Sequence, residues 1–435
     1  MFSGALFRGW NQRGNAQQRR VPNDLTAPSE PPTRPVPSAA PGDGRFLPLD
    51  GLRGAGAIGV LAMHAFPLAF YWNWVWMEMF FVLSGFLITT ILLRTDFSQP
   101  GALRNFMARR ALRIWPVYYV GLFVAFLMWQ VFSAYKAIDF QPVWWKCLVY
   151  LQFTEGYTQF DQAYTFDYVL WFRHTWSLAV EEQYYLLWPL VLLLSGGRRP
   201  VLLATCLLLL AACIWMRSSG YALNMLLTRG DGFALGSILA LLEDQAPRSQ
   251  LLRQWLKVLY AACLAFGLVV IVPYIVAGYG EGAIRSYPDI QRFGNWTLNV
   301  AAAALLFFGL IGLMRRGLLE SVSRVLSTSP LTWLGGVSYA IYLFQELVFG
   351  VVHQFLHLEH RISAVAAGVL AMAIAIAIGP LSRRFLENPF NRLKRHFPVI
   401  TRDGAIQQVQ VQPAPAREES GTREPAPVAL ITPAR

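Results

Sequence analysis

The sequence predicts an all-α, polytopic membrane protein with about ten transmembrane helices, and three observations carry that prediction. Of 435 residues, 55% are hydrophobic and 14% charged, against roughly 45–50% and about 25% in soluble domains. Mean hydropathy is +0.39, and 29 Phe, 15 Trp and 17 Tyr suit the aromatic belts of membrane interfaces. Apolar stretches recur at about the 20-residue length that crosses a hydrocarbon core, and Arg gathers at their ends. This composition excludes a disordered, collagen-like or disulfide-stapled chain and fits a cytosolic globular enzyme poorly.

Residues 1–46 are rich in Pro, Arg, Gln and Ala and lack the apolar core of a signal peptide, which reads as a disordered cytosolic tail. The membrane domain is read as 47–398. Its spans are expected to begin near Leu52, Trp74, Ala111, Thr175, Pro200, Arg229, Val258, Asn295, Leu331 and Ile362. Val143 to Phe153 is too short to span and reads as an interfacial helix with Trp144 and Trp145 at the headgroups, or else as an eleventh, re-entrant element. Residues 399–435 read as a second disordered cytosolic tail. Cys147, Cys206, Cys213 and Cys263 lack metal-site spacing and read as packing residues.

A net charge of +12 raises nucleic acid as a partner, but 33 of the 37 basic residues are Arg spread over segment ends rather than gathered in one basic domain. With the N-terminus inside, 29 of the 37 fall on the cytosolic side and 8 outside. That asymmetry satisfies the positive-inside rule with both termini cytosolic and Lys136 to Arg173 outside.

Ionisable residues within spans are costly and are functional candidates by default. In the first span, Arg53 and His64 are eleven residues apart, on one helix face and ~16 Å apart along the axis. This places His64 near mid-membrane. Glu78, near the outer end of the second span, is expected at a similar depth, where it could orient the imidazole as a carboxylate orients a general base. In the third span Arg109, Arg110 and Arg113 form one cationic face, suited to phosphates or to anionic lipid. In the fourth, His174, Ser177 and Glu181 share a face, with Glu182 beside them. Weaker candidates are Arg229 with Asp231, Gln345 with Glu346, and His353, His357 and His360. The three histidines lack a fourth ligand, so no metal is expected.

The run Leu49-Asp-Gly-Leu-Arg-Gly54 followed by His64, then MEMFFVLSGFLIT, RRALRIWPVYY and above all HTWSLAVEEQYYLLWP, resembles the membrane acyltransferase 3 family of bacterial cell-surface modifiers, over about residues 47 to 395. The resemblance implies about ten membrane helices in the bacterial inner membrane and an acyl-CoA donor, with acetyl-CoA the expected one. It also implies transfer to a hydroxyl of a cell-surface saccharide, such as an exopolysaccharide, lipopolysaccharide or peptidoglycan, or of a lipid-linked acceptor. By position, Arg53 and His64 match the family's first-helix pair, Arg110 and Arg113 its third-helix pair, and Ser177, Glu181 and Glu182 its fourth-helix motif. Glu78 stands where an Asp is expected, Gln345 where many members have His, and FLENPF replaces the more usual Glu-Arg-Pro. A stand-alone member without a fused hydrolase-like domain is expected.

The mechanism that follows places Arg53, Arg110 and Arg113 on the phosphates of CoA, and His64, Glu78, Glu181 and Glu182 at the chemistry. Ser177 and His174 hold the acceptor. His64 either deprotonates the acceptor hydroxyl or takes the acyl group covalently, and the sequence leaves both open. A transporter or flippase for a saccharide or lipid-linked precursor is the rival reading, although no internal repeat supports it.

Overall fold

The computed structural model describes residues 46–132, 144–151, 172–221, 223–245, 249–280, 295–356, 362–402 and 406–407. Ten long helices follow one another: α1 Leu47–Ala65, α2 Val75–Arg94, α3 Ala102–Phe132, α4 Trp176–Leu194 and α5 Arg199–Ser218; then α6 Asp231–Gln245, α7 Gln250–Gly280, α8 Trp296–Arg315, α9 Ser329–Phe349 and α10 Ala364–Ser382. By length and composition, α2, α3, α5, α7, α8, α9 and α10 can cross a membrane, so seven of the ten expected spans meet that standard. The other three differ for a physical reason. The ionisable residues of α1 and α4 lower their hydropathy, and α6 has only 15 residues.

The helices form an inner and an outer set. α1 lies along α9, α2 along α6, and α7 along α8, while α10 backs α9 and α5 backs α6. The first two contacts are close because glycines face carbonyls there. A Cβ at Gly54 would overlap the Leu331 carbonyl and one at Gly335 the Asp50 carbonyl; one at Gly85 would strike the Phe233 carbonyl. Small residues at a crossing let two backbones approach where lipid offers no hydrophobic drive. The outer helices turn large apolar side chains outward, such as Leu207 and Leu208 on α5, Val269 and Val276 on α7, and Val365 and Val369 on α10.

Several boundaries move from their expected places. α1, α3 and α7 start earlier than their apolar stretches: α3 and α7 continue through polar first turns, and α1 opens with Pro48 in its first turn, where a missing amide costs nothing. The expected interfacial helix is five residues, Trp144–Leu148, and ends near Tyr150, whose φ is +57°. The tail expected to be disordered from 399 instead begins with a short strand, Val399–Ile400, paired antiparallel with Ile406–Gln407, and Thr401 bridges to Thr95. Cys147 and Cys206 are buried among apolar neighbours, as packing residues should be, while Cys213 is buried beside the Leu226 carbonyl and the Arg217–Asp231 pair. Residues 1–45 and 408–435, most of Lys136 to Arg173, and the side chains of His353, His357 and His360 lie outside the described residues.

Candidate active site

Where α2 ends and α3 begins, the first turns of α3 present Arg109, Arg110 and Arg113 to a cavity of about 280 Å³ that Lys394 also lines. Deeper in the bundle lies a second cavity of about 90 Å³. The two share Arg110 and Arg113, which therefore stand in the wall between them. The deeper cavity is also lined by Arg53, Ser84, Ser177, Glu181, Tyr185 and Tyr342. Residues from α1, α2, α3, α4 and α9 thus meet around one space.

Inside it, Glu181 accepts hydrogen bonds from the Ser84 and Tyr185 hydroxyls. Tyr185 follows Glu181 by four residues and so shares its helix face. The Arg110 guanidinium stacks 5.1 Å from the Tyr185 ring centre, a cation–π contact that holds the charge at the cavity edge. Glu182 points elsewhere: its Oε2 accepts from the indole of Trp115 at 3.3 Å, on the α3 side. The paired carboxylates of α4 therefore divide, one facing the cavity and one facing α3.

A second polar cluster lies at the other end of α1, and it corrects the expectation for His64. α1 ends at Ala65, so His64 sits in its last turn. Its Nδ1 is paired with Glu346 of α9, not with Glu78. Glu78 is fully buried and forms an ion pair with Arg229 at 2.5 Å. Next to that pair, Arg217 bonds Asp231 at 2.8 Å and the Thr228 carbonyl at 2.6 Å, giving a balanced quartet of two buried cations and two buried carboxylates. The reason is adjacency: α1 packs along α9, which brings Glu346 to His64, while α2 packs along α6, whose first residue, Asp231, and the short helical turn before it, Leu226–Arg229, bring Asp231 and Arg229 to Glu78.

The His64 and Glu346 side chains are 23% and 20% exposed, which leaves the pair open to an incoming molecule. His174 is buried within electrostatic reach of both. Its Nε2 lies 3.1 Å from the Leu343 carbonyl; a carbonyl only accepts, so Nε2 carries the proton and Nδ1, which has no hydrogen-bond partner among the described residues, keeps its lone pair. Ser177 and Tyr342 connect the two clusters. Their hydroxyls are 2.5 Å apart at the wall of the deeper cavity, and Tyr342 also donates to the His174 carbonyl at 2.6 Å.

The structure therefore gathers Arg53, Arg110, Arg113, Ser177 and Glu181 at one cavity, sets His64 and His174 beyond it, and places Glu78 and Glu182 elsewhere. Ser84, Tyr185, Tyr342 and Lys394 were not read from the sequence as site residues. Tyr185 and Tyr342 carried a usable signal, each being four residues before or after a carboxylate on the same helix.

The family described as an acyltransferase domain matches residues 47–380. A peptidoglycan O-acetyltransferase of Listeria monocytogenes is 27% identical over 400 residues, covering 80% of this chain and 56% of that protein. A putative peptidoglycan O-acetyltransferase of Bacillus subtilis is 27% identical over 388 residues, covering 79% and 55%. A putative O-acetyltransferase of Staphylococcus aureus is 26% identical over 385 residues, covering 80% and 58%. The chain spans a little over half the length of these curated relatives. No solved structure matches it.

Proposed function

We propose that this chain, which belongs to that acyltransferase family, moves an acyl group, with acetyl the expected one, from acyl-CoA to a hydroxyl of a cell-surface polymer. The observation that carries the reading is the pair of adjacent cavities with Arg110 and Arg113 in the wall they share. A donor with a polyanionic head and a long neutral arm suits such a shape: cations at the wide outer cavity for phosphates, then a narrow inner one for the arm. The residues present fit that donor, since guanidinium groups bind phosphate bidentately.

On this reading the pantetheine arm passes Arg110 and Arg113 into the deeper cavity, and Arg53 and the Glu181–Tyr185–Ser84 group line its path. The acceptor approaches the exposed His64–Glu346 pair. Glu346 holds Nδ1–H and stabilises the imidazolium, leaving Nε2 to take the hydroxyl proton. The acceptor oxygen then forms the ester bond as the thioester C–S bond breaks, and the departing thiolate takes up a proton. His174, with Nδ1 free to accept, and Ser177 would hold acceptor hydroxyls. The polymer is a cell-wall or other surface polysaccharide, taken from the names of the relatives, and the membrane is the bacterial inner membrane.

The test is release of CoA from acetyl-CoA by the purified protein, with and without polysaccharide acceptors. Acceptor-dependent release is expected, and release of none with any acceptor would overturn the reading. Two further results follow. Arg110→Ala or Arg113→Ala should weaken acyl-CoA binding by roughly 1.5–3 kcal/mol, the size of a charge-assisted hydrogen bond; unchanged affinity in a folded double variant would make the pair a lipid anchor. A periplasm-active reporter fused at Arg435 should be silent and one placed between Lys136 and Arg173 active, and the opposite pattern would refute cytosolic termini.

A further inference from the structure

The family match ends at residue 380, yet the outer cavity is walled by residues beyond it, Lys394 and Pro398 to Ile400. We propose that this C-terminal strap is part of the donor site and that Lys394 is a phosphate-binding residue in it. The inference rests on the acyl-CoA reading above and adds a residue and a segment that the family match does not include.

The strap is fastened to the α2–α3 end of the bundle by backbone groups, so its place does not depend on a ligand. Arg109 Nη1 donates to the Lys394 carbonyl at 3.1 Å and to the Phe397 carbonyl at 3.0 Å. Asn105 Nδ2 donates to the Pro398 carbonyl at 3.1 Å, and the Asp96 amide to the Ile400 carbonyl at 2.9 Å. Arg109 is thus occupied in holding the strap, which changes its role from the one its spacing suggested. It positions Lys394 and lines the cavity beside it, while Arg110, Arg113 and Lys394 are left for a ligand.

Charge then selects the ligand. Among the described residues, none of these three cations has a carboxylate within ion-pair distance. Glu387 is in electrostatic reach of Arg113 and Lys394, and Glu181 and Glu182 reach Arg110 from the deeper cavity's side; the wall of the outer cavity itself carries Arg109, Arg110, Arg113 and Lys394 and, among the described residues, no carboxylate, which suits an anion. Three phosphoryl groups, a diphosphate and a 3′-monophosphate, are what CoA carries into such a space. Beside polar Thr95 and Asn105, the wall carries apolar Ile91, Phe106, Val399 and Ile400, which suit a purine face. An anionic phospholipid headgroup offers one phosphate and no such base, so the cavity's mixed lining favours the nucleotide.

The experiment uses the full chain in nanodiscs of neutral lipid and compares wild type, Lys394→Gln and Lys394→Arg. CoA affinity is read by calorimetry and donor turnover with acetyl-CoA and with acetyl-pantetheine, which lacks the nucleotide. Lys394→Gln should weaken CoA binding roughly 10- to 100-fold, as loss of one charge-assisted hydrogen bond does, with Lys394→Arg restoring most of it. Turnover of acetyl-pantetheine should be the same in all three. Wild-type CoA affinity in Lys394→Gln would overturn the inference, and so would equal losses with both donors, which would mark a folding defect. Phosphatidylglycerol binding that depends on Lys394, with CoA binding that does not, would assign the cavity to lipid and also overturn it. If the wild type itself binds no CoA, the donor reading fails first, so the two failures are distinguishable.

Discussion

His64→Gln is expected to fold, to bind acetyl-CoA as the wild type does, and to lose acyl transfer by at least about 10²–10⁴-fold, the usual contribution of a general base. The glutamine amide can still hydrogen-bond Glu346, so the α1–α9 contact keeps its polar bridge, but it can neither accept a proton at neutral pH nor carry an acyl group. Glu346→Gln separates two parts of the role. It keeps the shape and a hydrogen bond to Nδ1 but removes the negative charge that stabilises the imidazolium, so kcat should fall while CoA affinity stays. Both measurements are made on the same preparation, by CoA release under saturating donor and by direct binding. If His64→Gln keeps most of its transfer, the histidine is structural and the base must be sought at His174 or at the Glu181 cluster. A loss of CoA affinity in parallel with turnover would instead show a damaged bundle.

The helices and the cationic face of α3 were legible in the sequence because both are local. Apolar length marks a span, and a spacing of three or four residues places Arg110 beside Arg113 and Ser177 beside Glu181 whatever the rest of the chain does. Which helices meet is not local. His64 finds Glu346 and not Glu78 because Gly54 and Gly335, far apart in the chain, let α1 and α9 approach until side chains near their far ends touch. Glu78 has the depth and chemistry of an orienting carboxylate, but the close crossing of α2 and α6 at Gly85 puts cations next to it. The strap was hidden for a different reason. Its residues, Leu393-Lys-Arg-His-Phe-Pro-Val-Ile400, run across the boundary expected at 398, and what orders it is a set of hydrogen bonds to its own carbonyls from Arg109 and Asn105, which composition does not record.

The buried quartet sets the second large effect. Glu78→Ala is expected to destabilise the protein by roughly 3–5 kcal/mol, the cost of leaving one charge of a buried pair uncompensated. Arg229 would be that charge: it is 4% exposed, and its other contacts are the faces of Trp176 and Phe81, at 5.2 and 5.9 Å from the ring centres, which can attract a cation but cannot neutralise it. Phe81 also lines the deeper cavity, so the network stiffens the wall along which the donor arm is proposed to run. Replacing both partners, Glu78→Met with Arg229→Met, removes the uncompensated charge and fills the space with apolar atoms, and should recover most of the loss. Unfolding followed by intrinsic Trp fluorescence in detergent, for wild type, each single variant and the double, supplies the cycle. The double variant should also keep CoA binding and transfer, since on this structure Glu78 touches neither His64 nor the proposed path. A stable double variant with wild-type CoA affinity and no transfer would overturn that assignment and return Glu78 to the chemistry.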